Sequence, residues 1–121
     1  MSDLELLRDR MRDFAAERGW AGYHDPKSVL LALVGEVGEL AELFQWLPAD
    51  DARELAKAEP LRTRAAEEIS DVLLYLVLLA DVLGVDLTAA ANAKLTEAGR
   101  RYPPGTGPDR AQGGTDNSGQ T

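Results

Sequence analysis

The stretch GEVGELAELFQW, residues 35–46, places Glu36, Glu39 and Glu42 three apart inside an apolar run. Around it Leu30, Leu33, Val34, Val37, Leu40, Ala41 and Phe44 recur at helical spacing. Asp25-Pro26 upstream is a start signal, with Asp as N-cap and Pro at the first helical position. The helix is expected to end before Pro48. Projected on a helical wheel, Glu36 and Glu39 border the apolar stripe, whereas Glu42 points to a more open side. Acids at the edge of a core-facing stripe need a reason to be there.

A second acidic cluster gives one. In EEISD, residues 67–71, Glu68 and Asp71 share a helix face, and Tyr75 follows on that face one turn later. Glu67 also lies near Asp71 on the wheel, but is expected to be exposed. The chain then reads VLLYLVLLA, apolar all round, which predicts a buried central helix from Pro60 to Gly84. A lone carboxylate there would cost several kcal/mol or take up a proton. Lys and Arg are absent from residues 28–52 and 65–93, so neither acidic helix supplies its own counter-charge. Facing each other, the two pairs would gather Glu36, Glu39, Glu68 and Asp71 in one cavity, an arrangement that needs cations. Oxygen donors without cysteine or a nearby histidine favour Mg²⁺, or Mn²⁺, over zinc. Such ions activate water and clamp phosphate oxygens.

The rest of the chain supports an all-α fold. Ser2 and Glu5 form a capping-box pattern, Leu4, Leu7, Met11, Phe14 and Ala15 follow at helical spacing, and Gly19 is a stop. Residues 20–24 read as an aromatic-rich linker, and residues 48–60 as a loop with room for a short surface helix. Asp86 opens a last helix through Lys94 to near Tyr102, where Pro103-Pro104 blocks continuation. The expected organisation is one domain over residues 1–103 and a disordered polar tail over 104–121.

Composition narrows the function. The 121 residues carry a net charge of −8, which argues against a nucleic-acid polymer as partner. With no cysteine there is no disulfide, zinc–thiolate site or thiol nucleophile. The N-terminus lacks an apolar signal core, and the apolar run at residues 72–80 is too short to span a membrane, so the expected location is cytoplasmic.

GEVGELAELFQW, then EEISDVLLYLVLLADVLGVDL, then Lys94 and the RRYP of residues 100–103 resemble the all-α nucleoside triphosphate pyrophosphohydrolases of the MazG-like superfamily. The closest likeness is to its dCTP pyrophosphatase branch, over residues 4–103. The resemblance implies a four-helix core completed by oligomerisation, typically a tetramer built from dimers. It also implies Mg²⁺-dependent cleavage between the α and β phosphates, with nucleotide-pool cleansing as the usual role. It assigns Glu36, Glu39, Glu68 and Asp71 as metal ligands. Glu36 and Glu39 are also candidates to handle the attacking water. Trp20, Trp46 and Tyr75 fall at aromatic positions around the nucleotide, and Lys94 at a basic residue near the phosphates. His24, the only histidine, is a further substrate-binding candidate beside the Asp25 cap. Two positions depart from the pattern: Ala98 stands where relatives often carry Asn, and Met11 where cytosine-specific relatives carry His.

Two rival readings remain. A di-iron bundle would need Glu-x-x-His pairs, which the sequence lacks. A non-enzymatic helical adaptor with solvated acidic faces would respond neither to Mg²⁺ nor to nucleotide.

Overall fold

The first helix, α1 (Asp3–Arg18), begins with a reciprocal cap. The Ser2 hydroxyl accepts from the Glu5 backbone N–H, and the Glu5 carboxylate accepts from the Ser2 N–H, both at 3.2 Å. It ends at Gly19, whose φ of 67° is a left-handed conformation that costs glycine little. A single 3-10 turn, Ala21–Tyr23, occupies the expected linker. Helix α2 (Pro26–Phe44) starts where Asp25 accepts from the Ser28 N–H at 2.9 Å. The short helix α3 (Ala49–Leu55) lies in the segment expected to be mostly loop. Helix α4 (Leu61–Val82) follows Pro60, and α5 (Leu87–Arg101) is the last.

This computed structural model describes residues 1–105. The tail expected over 104–121 therefore lies almost wholly outside the described residues. Among the described residues all regular structure is helical. The chain divides into two compact units, Met1–Leu87 and Thr88–Thr121.

In the first unit, α2 and α4 lie along each other, and α1 packs on α4. The α2 residues turned inward are Val29, Leu33, Glu36, Leu40 and Leu43, at alternating steps of four and three. Ala65, Val77 and Ala80 are the buried residues of α4, and Ala15 that of α1. Small residues at these points let the helices approach closely. Arg12 of α1 forms a two-pronged ion pair with Asp81 of α4, with one contact, Nε to Oδ2, at 2.9 Å. That guanidinium holds the Asp81 carboxyl below its ordinary range.

One sequence expectation needs correction. Helix α4 is not buried all round in the single chain. Ile69, Leu73, Leu74, Leu76 and Leu83 are exposed, as are Leu30, Leu31, Val34 and Val37 of α2. No large side chain among the described residues is fully buried. Two packed helices and a third packed on one of them cover only one side of each, so the all-round apolar pattern exceeds what one copy can bury.

In the second unit α5 is amphipathic, with Arg100 and Arg101 in its last turn, where cations oppose the helix dipole. Lys94 projects from it, largely exposed, 3.5 Å from Glu97.

Candidate metal centre and its flanking clefts

Glu36 sits in the inward row of α2, between Leu33 and Leu40, and α4 offers Glu68 one turn after the buried Ala65. The contact between these helices brings one oxygen each from Glu36, Glu39 and Glu68 within 4.8 Å of one another. One oxygen of Glu36 and one of Glu68 are buried without any hydrogen-bond partner. Withdrawal from water and the neighbouring Glu39 charge push the Glu36 carboxyl up to about 7, with Asp71 adding to the shift. Burial and Glu39 also raise Glu68. Asp71 is not one of the three closest acids, but its charge reaches both Glu36 and Glu68 from one turn further along α4.

Three clustered acids, two of them with an orphaned oxygen, cannot all stay ionised cheaply. They must share protons or hold a cation. The all-oxygen donor set, with carboxylates from two helices, fits a hard divalent ion.

Two clefts are built along α4. One is a mainly apolar cavity of about 490 Å³, lined by Leu7, Arg10, Met11, Phe14 and Ala15 of α1, by Trp20 and His24, and by Leu74, Tyr75 and Leu78 of α4. The Phe14 and Trp20 rings meet edge to face at 5.6 Å, and the Arg18 guanidinium lies 3.6 Å over the Phe14 ring. The second is a polar cleft of about 520 Å³ that includes two of the clustered acids and is lined by Glu39, Glu42, Leu43, Gln45, Leu61, Arg64 and Glu68. Both share α4. Arg64, Glu68, Asp71, Tyr75 and Leu78 follow at steps of four, three, four and three, so they form one stripe along that helix.

The structure thus gathers most of the residues singled out in the sequence. Trp20, His24 and Tyr75 line one cavity, next along α4 to the acids. Trp46 is 86% exposed and lines neither cleft. Lys94 belongs to the second unit. Phe14, one of the apolar residues at helical spacing in α1, is half exposed and forms a wall of the aromatic cavity. Arg64, not singled out in the sequence, lines the acidic cleft. Its position one turn before Glu68 was the available signal.

The model of the MazG-like family matches residues 32–116, more than half of the chain. The chain belongs to the MazG-like family.

Among curated MazG-like relatives, dCTP pyrophosphatase 1 of Bos taurus is 50% identical over 100 residues, and that of Homo sapiens 49% over 100. Each alignment covers 83% of this chain but 59% of the relative, so the chain spans about three-fifths of their length. A crystal structure of a pyrophosphatase from Archaeoglobus fulgidus superposes with a TM-score of 0.76 at 36% identity, covering 85% of this chain and 94% of that one. Among the described residues no single helix is long and apolar enough to cross a membrane.

Proposed function

We propose that the chain is a Mg²⁺-dependent nucleoside triphosphate pyrophosphohydrolase that converts a (deoxy)nucleoside triphosphate to the monophosphate and pyrophosphate. The observation that carries this reading is the trio of Glu36, Glu39 and Glu68 with two buried, unpartnered oxygens. The names of the relatives make dCTP, or a modified dCTP, the first substrate to try. A helical adaptor would leave those two oxygens without a role.

Glu36, Glu39, Glu68 and Asp71 would hold the metal. When bound, Mg²⁺ supplies charge neutralisation at the phosphates and acidifies water. The chain's residues do the rest. The aromatic cavity takes the base, with the Phe14 and Trp20 rings on one wall and Tyr75 on another. Tyr75 lies seven residues after Glu68, roughly 10 Å along the helix axis. That separation suits a base in the cavity and an α-phosphate beside the acids. Water attacks the α-phosphorus, the bond to the bridging α–β oxygen breaks, and pyrophosphate leaves with that electron pair. Glu36 or Glu39 accepts a proton from the attacking water.

The exposed apolar faces of α2 and α4 support completion of a four-helix core by a second copy, and a dimer or a tetramer of dimers in solution. In this reading residues 1–103 form the catalytic domain, 104–121 are a tail, and Lys94, Trp46 and His24 contact the nucleotide in the assembled protein. The setting is cytoplasmic nucleotide-pool cleansing.

The test is pyrophosphate release across canonical and modified triphosphates with Mg²⁺, for wild type beside Glu39→Gln and Asp71→Asn. Turnover in wild type and its loss in both variants is expected. Full turnover in the variants would remove the ligand assignment.

A further inference from the structure

Four residues before Glu68 the stripe on α4 carries a cation. Arg64 lines the polar cleft with Glu39, Glu42 and Glu68, yet among the described residues its side chain forms no ion pair or hydrogen bond. It is the only basic residue lining that cleft among the described residues. An arginine beside three carboxylates that pairs with none of them is left free for a different anion.

Its position says which one. Along α4 the order is Arg64, then Glu68 and Asp71, then Tyr75 with the aromatic cavity. Arg64 lies roughly 6 Å along the axis from Glu68, on the side away from Tyr75. A nucleotide with its base at Tyr75 and its α-phosphate at the acids points its β and γ phosphates towards Arg64. We propose that Arg64 binds the β and γ phosphates and receives the departing pyrophosphate, which fixes the direction in which the triphosphate lies on α4.

This rests on the pyrophosphohydrolase reading above. The chemistry suits a guanidinium. Its planar fork can donate two parallel hydrogen bonds to phosphate oxygens, and it stays charged throughout. When the bond from the α-phosphorus to the bridging oxygen breaks, that oxygen keeps the electron pair and its charge grows on the pyrophosphate. A cation at that end stabilises the charge as it forms. The polar cleft, open and lined by Gln45 as well as Arg64, gives the product a way out.

The test separates the two ends of the nucleotide. Binding of pyrophosphate and of a nucleoside monophosphate would be measured by calorimetry with Mg²⁺ present, for wild type, Arg64→Ala and Arg64→Lys. Arg64→Ala should weaken pyrophosphate binding about 10- to 100-fold, the usual range for a charge-assisted contact. Monophosphate binding should change less than about twofold. Arg64→Lys should recover part of the loss, because the charge remains but the fork does not. In turnover, Arg64→Ala should raise the KM for triphosphate and weaken inhibition by pyrophosphate. Unchanged pyrophosphate affinity in Arg64→Ala overturns the assignment. So does an equal loss for the monophosphate. A wild type that binds pyrophosphate but hydrolyses no triphosphate would refute the enzymatic reading instead, since the binding arms need no turnover. Alanine is a strong helix former at an exposed site, so the variant should fold, and circular dichroism checks it.

Discussion

Adding Mg²⁺ to the metal-free protein should release protons, and the amount follows from the acid cluster. The Glu36 carboxyl is pushed up to about 7 by burial and by Glu39, so near neutral pH it is partly protonated. A bound divalent ion requires the carboxylate, so the proton must leave. With a value of about 7, Glu36 holds about 0.9 proton at pH 6, about 0.5 at pH 7 and about 0.1 at pH 8. Binding should release those amounts per chain from Glu36. Apparent affinity should then weaken about tenfold for each pH unit below 7. Calorimetry in two buffers with different protonation heats reads the release directly. In Glu36→Gln the release at pH 7 should largely disappear. Negligible release at pH 6–7, or the same release in Glu36→Gln, would refute the argument that these acids share a cation. The same shift has a stability consequence. The folded chain holds the Glu36 proton more tightly than the unfolded chain, whose value is near 4.5. That stabilisation is complete below about pH 4.5 and is lost as pH rises through about 7. Saturating Mg²⁺ should remove the decline.

The remaining predictions concern packing and assembly. Val77→Ala, at a site only 4% exposed, should cost about 1.5–3 kcal/mol in urea unfolding; a loss under about 0.5 kcal/mol would mean α4 is not packed as described. Arg12→Ala should lower the melting temperature at pH 7, but not at a pH well below the depressed Asp81 value, because that stabilisation is lost as Asp81 protonates. A constant difference at all pH values would show that the ion pair is not its source. In sedimentation the wild type should run well above the 13.1 kDa of one chain, and Leu31→Glu should shift it towards monomer. A wild-type monomer would refute self-association through the exposed apolar faces.

Much of the fold was legible because its determinants are local. The Ser2–Glu5 capping box, the Asp25-Pro26 start and the Gly19 stop each act within about one turn, and each appears in the structure where expected. The all-helical class follows from the same short-range rules. The helix at residues 49–55 was only partly foreseen, since its apolar content is low. The acids were also legible, because spacing and the lack of nearby Lys or Arg can be read along the chain.

What the sequence alone determined about this protein is its set of helices and the presence of two acidic pairs without counter-charge. Only the tertiary structure decided that Glu36 and Glu39 meet Glu68, that Asp71 stands a turn away, that Phe14 walls a cavity, and that Arg64 enters the acidic cleft while Trp46 stays outside. The reason is range. Caps and periodicity bind residues a few positions apart, whereas the distance between Glu36 and Glu68 depends on how α2 and α4 pack over their whole contact. The wheel placed Glu36 at the border of its stripe because it averages the apolar direction. The actual helix contact, set by side chains such as Ala65 and Val29, turned it into the seam.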